Sequence, residues 1–213
     1  MQSDDRPIES ILTTSPVLPV LVLEEVTQGL EVARALAAGG LTTLEITLRT
    51  RAALDVVKAV REAMPDLVVG VGSVRTPAQL SAAALAGAAF AVSPGASPKL
   101  LDAARDDPLP FLPGAATASE AMALAERGYR IQKFFPAEPA GGVAYLKALA
   151  GPLPELRFCP TGGVNVENAR TYLALSNVIA VGGSWMAPQA KIDAGDDTGL
   201  TALARDAVAL ARP

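Results

Sequence analysis

The sequence predicts an α/β fold, a (β/α)8 TIM barrel in a single domain over 1–213, because eight short apolar patterns alternate with Ala/Leu-rich helical stretches. The ends of successive apolar patterns fall about 19 to 26 residues apart, the length of a minimal βα unit, and no interruption is long enough for a second domain. The structural rival is an open doubly wound sheet. That fold usually carries a Gly-rich dinucleotide turn after its first strand, whereas here the first strand runs into LEEVTQG without a G-x-G-x-x-G.

In chain order, residues 1 to 14 read as a polar lead with a short N-terminal helix (PIESILTT). Strand patterns follow at 17–23 (VLPVLVL), 41–48 (LTTLEITL), 67–73 (LVVGVGS), 89–94 (AFAVSP), 109–113 (LPFLP), 129–135 (YRIQKFF), 156–161 (LRFCPT) and 177–182 (NVIAVG). Helical stretches lie between them, among them 25–38, 52–63, 118–127 and 166–175, with a further one at about 200–212. Thr117 to Glu120 has the form of a capping box, and Gly39, Gly87 and Gly128 stand where helix C-caps are expected.

Composition excludes several classes of function. Half the residues are hydrophobic, the net charge is −4, and there is no basic stripe for nucleic acid or an anionic membrane. No apolar run approaches the roughly 18 residues of a membrane span. The acidic, polar start shows no signal-peptide pattern, and a single cysteine, Cys159, fits a reducing cytoplasm. The chain has no histidine, so the common zinc sites and the Ser-His-Asp and Cys-His pairs cannot be assembled. Proton transfer then falls to Glu, Asp, Lys, Tyr or ordered water; an all-carboxylate Mg²⁺ site stays open but has no clustered acidic motif in its favour, and no cofactor is expected.

Of the five lysines, only Lys133 is flanked by apolar residues inside a strand pattern. Desolvation there disfavours the ammonium and favours a free amine, which a Schiff-base enzyme needs. The same position also suits a lysine whose stem packs on apolar neighbours while its head reaches water. The second strand is the most lopsided. Leu44, Ile46 and Leu48 alternate with Thr43, Glu45, Thr47 and Arg49, so the polar four should line the barrel interior. They read either as a structural Glu45–Arg49 ion pair or as a general base with an arginine above it to grip a substrate carboxylate. Two double-glycine turns, Gly162-Gly163 and Gly182-Gly183-Ser184, follow the seventh and eighth strands, where barrels commonly bind phosphate through backbone N–H groups. The alternative is plain turns. Thr161 should point inward at the mouth, and Cys159 reads as a small buried core residue.

The stretches SILTTSPVLPVLV, GGLTTLEITLRT, VVGVGSV, AVSPG, KFFPAE with AGGV, RFCPTGGV and VGGSWM together resemble the class I aldolases that split 2-keto-3-deoxy-6-phosphogluconate (KDPG), in the family's order over roughly residues 9 to 188. The pairing of E-I-T-L-R on one strand with K-F-F-P on another is the specific part. The resemblance implies a homotrimeric barrel without metal, acting in the Entner–Doudoroff route on a small 2-keto acid phosphate. It places the Schiff-base lysine at Lys133 and the acid/base at Glu45. It assigns the substrate carboxylate to Arg49 and Ser73, and the phosphate to Gly162, Gly163, Gly183 and Ser184. Pro94, Thr161 and Gly182 line the same site. Two positions depart from the family's pattern: Ser73, where threonine is expected, and Gln132, which alternation turns away from the site. The alternatives are 4-hydroxy-2-oxoglutarate or the galactonate epimer as substrate, and a non-catalytic phosphosugar-binding barrel.

Overall fold

The computed structural model describes residues 6–210; the polar lead before residue 6 and the last residues of the predicted terminal helix lie outside them. The N-terminal helix α1 (Arg6–Leu12) precedes β1 (Val17–Leu21), α2 (Val26–Ala38), β2 (Thr43–Thr47), α3 (Ala53–Ala63), β3 (Val68–Gly72) and α4 (Pro77–Leu85). The middle of the chain forms β4 (Ala91–Val92), α5 (Pro98–Asp106), β5 (Phe111–Leu112), β6 (Gly114–Ala115), α6 (Ala118–Glu126), β7 (Ile131–Phe134) and α7 (Gly142–Leu149). It ends in β8 (Arg157–Pro160), α8 (Ala169–Leu173), β9 (Val181–Gly183), α9 (Gln189–Asp193) and α10 (Asp197–Val208).

The strands pair in parallel in two sheets, ordered β5-β4-β3-β2-β1-β9 and β6-β7-β8. The result is a curled parallel sheet within an α/β fold. The fifth predicted strand is split, because Pro113 has no N–H for the ladder, though its carbonyl still accepts from the Lys133 N–H at 2.8 Å. Across the other seam, isolated bridges join Phe158 to Val178 and Thr161 to Gly182. The eighth predicted strand is regular only at its end, over Val181–Gly183.

Side chains segregate by alternation. Leu44, Ile46, Val69, Val71, Phe134 and Phe158 pack outward against the helices. Leu18, Phe90, Val92, Leu112, Ile131 and Cys159 form a second cluster inside the curl, which Ile8 and Leu12 of α1 join. Glu9 of α1 pairs with Arg157 at the start of β8, which places α1 across the N-terminal ends of the strands. The opposite ends are left for chemistry. The helices begin where their caps stand: Thr76 and Ser97 accept from Gln79 and Leu100 with proline following, and the Thr117–Glu120 capping box is formed. Gly87 and Gly128 take positive φ just past α4 and α6; after α2 it is Gly40, one residue beyond Gly39, that does so.

Candidate active site

Lys133 stands third in β7 and Glu45 third in β2, both turned into the curl. The lysine is 5 % and the glutamate 1 % exposed. Nζ lies 3.3 Å from Glu45 Oε1, and the Phe135 ring centroid is 5.4 Å from Nζ. The lysine head is thus turned onto Glu45 inside the curl and not outward into solvent. Glu45 Oε2 is buried and meets no hydrogen-bond partner among the described residues. A buried carboxylate oxygen left unsatisfied is costly, so one face of Glu45 is held ready for a donor. Room for the carboxylate is made by β3: a Cβ on Gly72 would lie 2.0 Å from Glu45 Oε1. One turn of the pleat below, a Cβ on Gly70 would lie 2.4 Å from the Phe90 ring. The V-V-G-V-G pattern of β3 is thus the signal of large inward side chains on its neighbours.

The other members of the predicted polar face separate. Thr43 meets the Thr14 hydroxyl at 2.9 Å, and Thr47 donates to the Leu21 carbonyl at 2.9 Å. Arg49 is not on the strand. It sits in the turn beyond β2, is exposed, and donates from Nε to Ser73 Oγ at 3.2 Å. A tight turn, with the Arg49 N–H on the Thr47 carbonyl at 2.8 Å, ends the alternation before Arg49. The Glu45–Arg49 ion pair is therefore corrected to a Glu45–Lys133 pair. Ser73, just past β3, has φ +59° and is the sole non-glycine residue with positive φ among those described.

Half-buried Pro94 follows β4, and a Cβ on Gly114 would stand 2.4 Å from its backbone carbonyl. Thr161 is buried beyond β8, its hydroxyl 3.4 Å from the Cys159 carbonyl. Cys159 is a buried core residue as expected; burial is the main cause that pushes its thiol up to about 12. Gln132 faces away from the site as expected and donates to the carbonyls of Ala121 and Tyr129 at 2.9 and 2.8 Å.

The two glycine pairs differ. Gly162 and Gly163 form a true turn with φ +97° and +83°. The carbonyls of Thr161, Gly162 and Gly163 accept from Ala137, Glu138 and the Asn168 side chain at 2.8, 3.0 and 3.1 Å. Among the described residues, their own N–H groups at 162 and 163 meet no acceptor. Gly182 and Gly183, by contrast, are not a turn but part of β9. Their lack of a side chain has a packing cause: a Cβ would lie 2.3 Å from Thr161 Oγ1 at 182 and 2.0 Å from the Trp185 ring at 183. Ser184 is exposed in the bend that follows. Among the described residues, no group of three or more Cys, Asp or Glu side chains converges as a metal site would require, and no helix is long and apolar enough to cross a membrane.

A buried lysine against a buried carboxylate, facing each other inside a curled parallel α/β sheet, defines the class: an enzyme scaffold equipped for amine and proton chemistry. The family described as KDPG and KHG aldolase matches residues 8–203, and the chain belongs to it. The 2-dehydro-3-deoxy-phosphogluconate aldolase of Dickeya dadantii is 48 % identical over 201 residues, covering 94 % of each chain. The KHG/KDPG aldolase of Escherichia coli K12 is 48 % identical over 200 residues, with the same coverage. Among solved structures, the KDPG aldolase of Legionella pneumophila, with pyruvate captured as a covalent carbinolamine, superposes with a TM-score of 0.93 at 42 % identity, covering 95 % of this chain and 98 % of that one. The Zymomonas mobilis enzyme with 3-phosphoglycerate gives 0.93 and 42 %, covering 98 % of both chains.

Proposed function

We propose that this aldolase cleaves 2-keto-3-deoxy-6-phosphogluconate to pyruvate and glyceraldehyde 3-phosphate through a Schiff base on Lys133, with Glu45 as the proton shuttle. The observation that carries the reading is the buried Lys133–Glu45 contact at 3.3 Å. The lysine amine adds to the C2 carbonyl, and the resulting carbinolamine loses water to give an iminium. Glu45 takes the proton of the C4 hydroxyl, directly or through one water. The C3–C4 bond breaks, its electron pair passing to the iminium, and glyceraldehyde 3-phosphate leaves. The remaining enamine is protonated at C3 through Glu45, and water hydrolyses the iminium to pyruvate and free lysine. One carboxylate acts in both directions, in a chain that has no histidine.

Arg49 and Ser73 hold the substrate carboxylate, and the N–H groups of Gly162 and Gly163, with Gly183 and Ser184, receive the phosphate. Pro94, Thr161 and Gly182 line the chain between them. The sheet closes as a (β/α)8 barrel in one domain over 1–213, supported by the Pro113 carbonyl bonded to β7 and by the isolated bridges from Phe158 to Val178 and from Thr161 to Gly182. The family resemblance favours a homotrimer in the Entner–Doudoroff route, working without cofactor, and the lone buried cysteine suits the cytoplasm. A second reading, 4-hydroxy-2-oxoglutarate cleavage, is favoured by the double name of the E. coli relative.

Borohydride with pyruvate is expected to trap one adduct per chain on the peptide containing Lys133, and Lys133→Ala abolishes it. An adduct on Lys99 or Lys147 refutes the assignment. Glu45→Gln is expected to keep the fold and lower turnover about 10²- to 10⁴-fold, with exchange of the pyruvate methyl protons slowed alongside. Cleavage and exchange near wild-type rates would give the shuttle to another group.

A further inference from the structure

Tyr172 and Glu138 lie outside every role assigned above, yet they meet behind the Gly162-Gly163 turn. Tyr172, on α8, is fully buried. Its hydroxyl donates to Glu138 Oε1, although the rest of Glu138 is exposed on the loop that follows β7. That loop grips the turn directly, since its Ala137 and Glu138 N–H groups bond the carbonyls of Thr161 and Gly162. The Glu138 side chain also lies across the turn: a Cβ on Gly163 would stand 2.6 Å from Glu138 Cγ. On its far side the pair packs on α7, where a Cβ on Gly142 would be 3.3 Å from both Glu138 Oε1 and Tyr172 Oη. Three segments therefore converge on one hydrogen bond.

A carboxylate beside a turn that receives a dianion is an electrostatic liability. Left free, Glu138 can swing toward the phosphate or occupy the glycine N–H groups itself. Burial, then the hydrogen bond and charge of Glu138, push the Tyr172 hydroxyl well above its ordinary range, so it remains a donor at any working pH. We propose that Tyr172 and Glu138 are positioning residues for phosphate recognition: their hydrogen bond holds the glutamate carboxylate away from the turn and fixes the Gly162 and Gly163 N–H groups toward the substrate phosphate. The proposal rests on the phosphate reading of that turn.

Tyr172→Phe removes the hydroxyl and keeps the buried ring. It is expected to raise KM for 2-keto-3-deoxy-6-phosphogluconate about tenfold, the scale of one charge-assisted hydrogen bond, with kcat within about twofold. KM for the unphosphorylated 2-keto-3-deoxygluconate and the rate of pyruvate trapping should stay as in the wild type. Glu138→Ala, which removes the carboxylate itself, should cost less than Tyr172→Phe, Glu138→Gln should stay near the wild type, and adding Glu138→Ala to Tyr172→Phe should recover affinity, because the unrestrained charge is then gone. An unchanged KM for the phosphorylated substrate, or equal losses on both substrates and on trapping, overturns the proposal. Gly162→Asp is measured in parallel. If it abolishes the preference for the phosphorylated substrate while Tyr172→Phe does not, only the positioning role fails. If neither alters the preference, the phosphate reading fails and the positioning role with it.

Discussion

At the scale of single residues, two small side chains decide what their larger neighbours can do. Gly72 occupies the inward face of β3 because the Glu45 carboxylate fills the space a Cβ needs, at 2.0 Å. Gly72→Ala is therefore expected to displace Glu45 and uncouple the two halves of the chemistry. Exchange of the pyruvate methyl protons should fall at least as far as in Glu45→Gln, while borohydride still traps pyruvate on Lys133. Unimpaired exchange would mean that the carboxylate has room elsewhere. Ser73 poses a contest of magnitudes. Its φ of +59° costs a non-glycine residue roughly 1–2 kcal/mol, against roughly 0.5–1 kcal/mol of added chain entropy lost by a glycine on folding. Ser73→Gly should thus leave the thermal midpoint unchanged or slightly raised, yet it removes the oxygen that receives Arg49 Nε. Half-maximal trapping should then need several times more pyruvate. A lower midpoint with unaltered pyruvate dependence would contradict both parts. Lys133 was legible from its apolar strand, and Glu45 from the polar face of its own. Their contact was not, because they lie 88 residues apart and no local spacing encodes such a meeting.

At the scale of elements, legibility follows the range of the physics. The α6 capping box is a contact between residues three apart, and it is formed as the sequence predicts. The Ala116 N–H is the main cause that holds the Glu120 carboxyl below the ordinary range; burial opposes it, and the Thr117 hydroxyl and N–H each add a smaller lowering effect. A depressed carboxylate stabilises the fold above its unfolded-state titration and loses that contribution as pH falls through the folded-state value. Wild type should therefore exceed Glu120→Gln in urea unfolding at pH 7, with the gap narrowing as pH falls below the ordinary carboxylate range. Thr117→Ala should cost about 1 kcal/mol with kcat unaffected. A gap that does not narrow with acidification would assign the stabilisation to something other than charge. Strand edges were less legible, because they depend on neighbours. Pro113 splits the fifth strand, and Arg49 leaves the second through a turn that period-two alternation cannot foresee. Gly182 and Gly183 look like a turn in sequence, yet they are strand residues covered by Thr161 and Trp185.

At the scale of the whole molecule, the proposed closure of the sheet can be tested through the sole cysteine. Cys159 stands in β8, inside the curl, among Leu18, Ile131 and the α1 residues Ile8 and Leu12. On one side β8 is paired with β7 in continuous register, and on the other the chain around Cys159 meets the β9 segment through two isolated bridges, Phe158 to Val178 and Thr161 to Gly182. With its thiol pushed up to about 12, chiefly by burial, the folded protein presents almost no thiolate at pH 8. Reaction with a disulfide reagent therefore requires opening. If the sheet is closed, β8 has no free edge, and exposing Cys159 means dismantling the interior cluster together with α1. Labelling should then follow global unfolding, its rate rising with urea at the slope found from circular dichroism, and Ile8→Ala should accelerate it by the factor that the lost stability predicts. Labelling in native buffer that is faster than unfolding and indifferent to urea would instead locate a local parting of β8 from β9, and the sheet would be open at that seam.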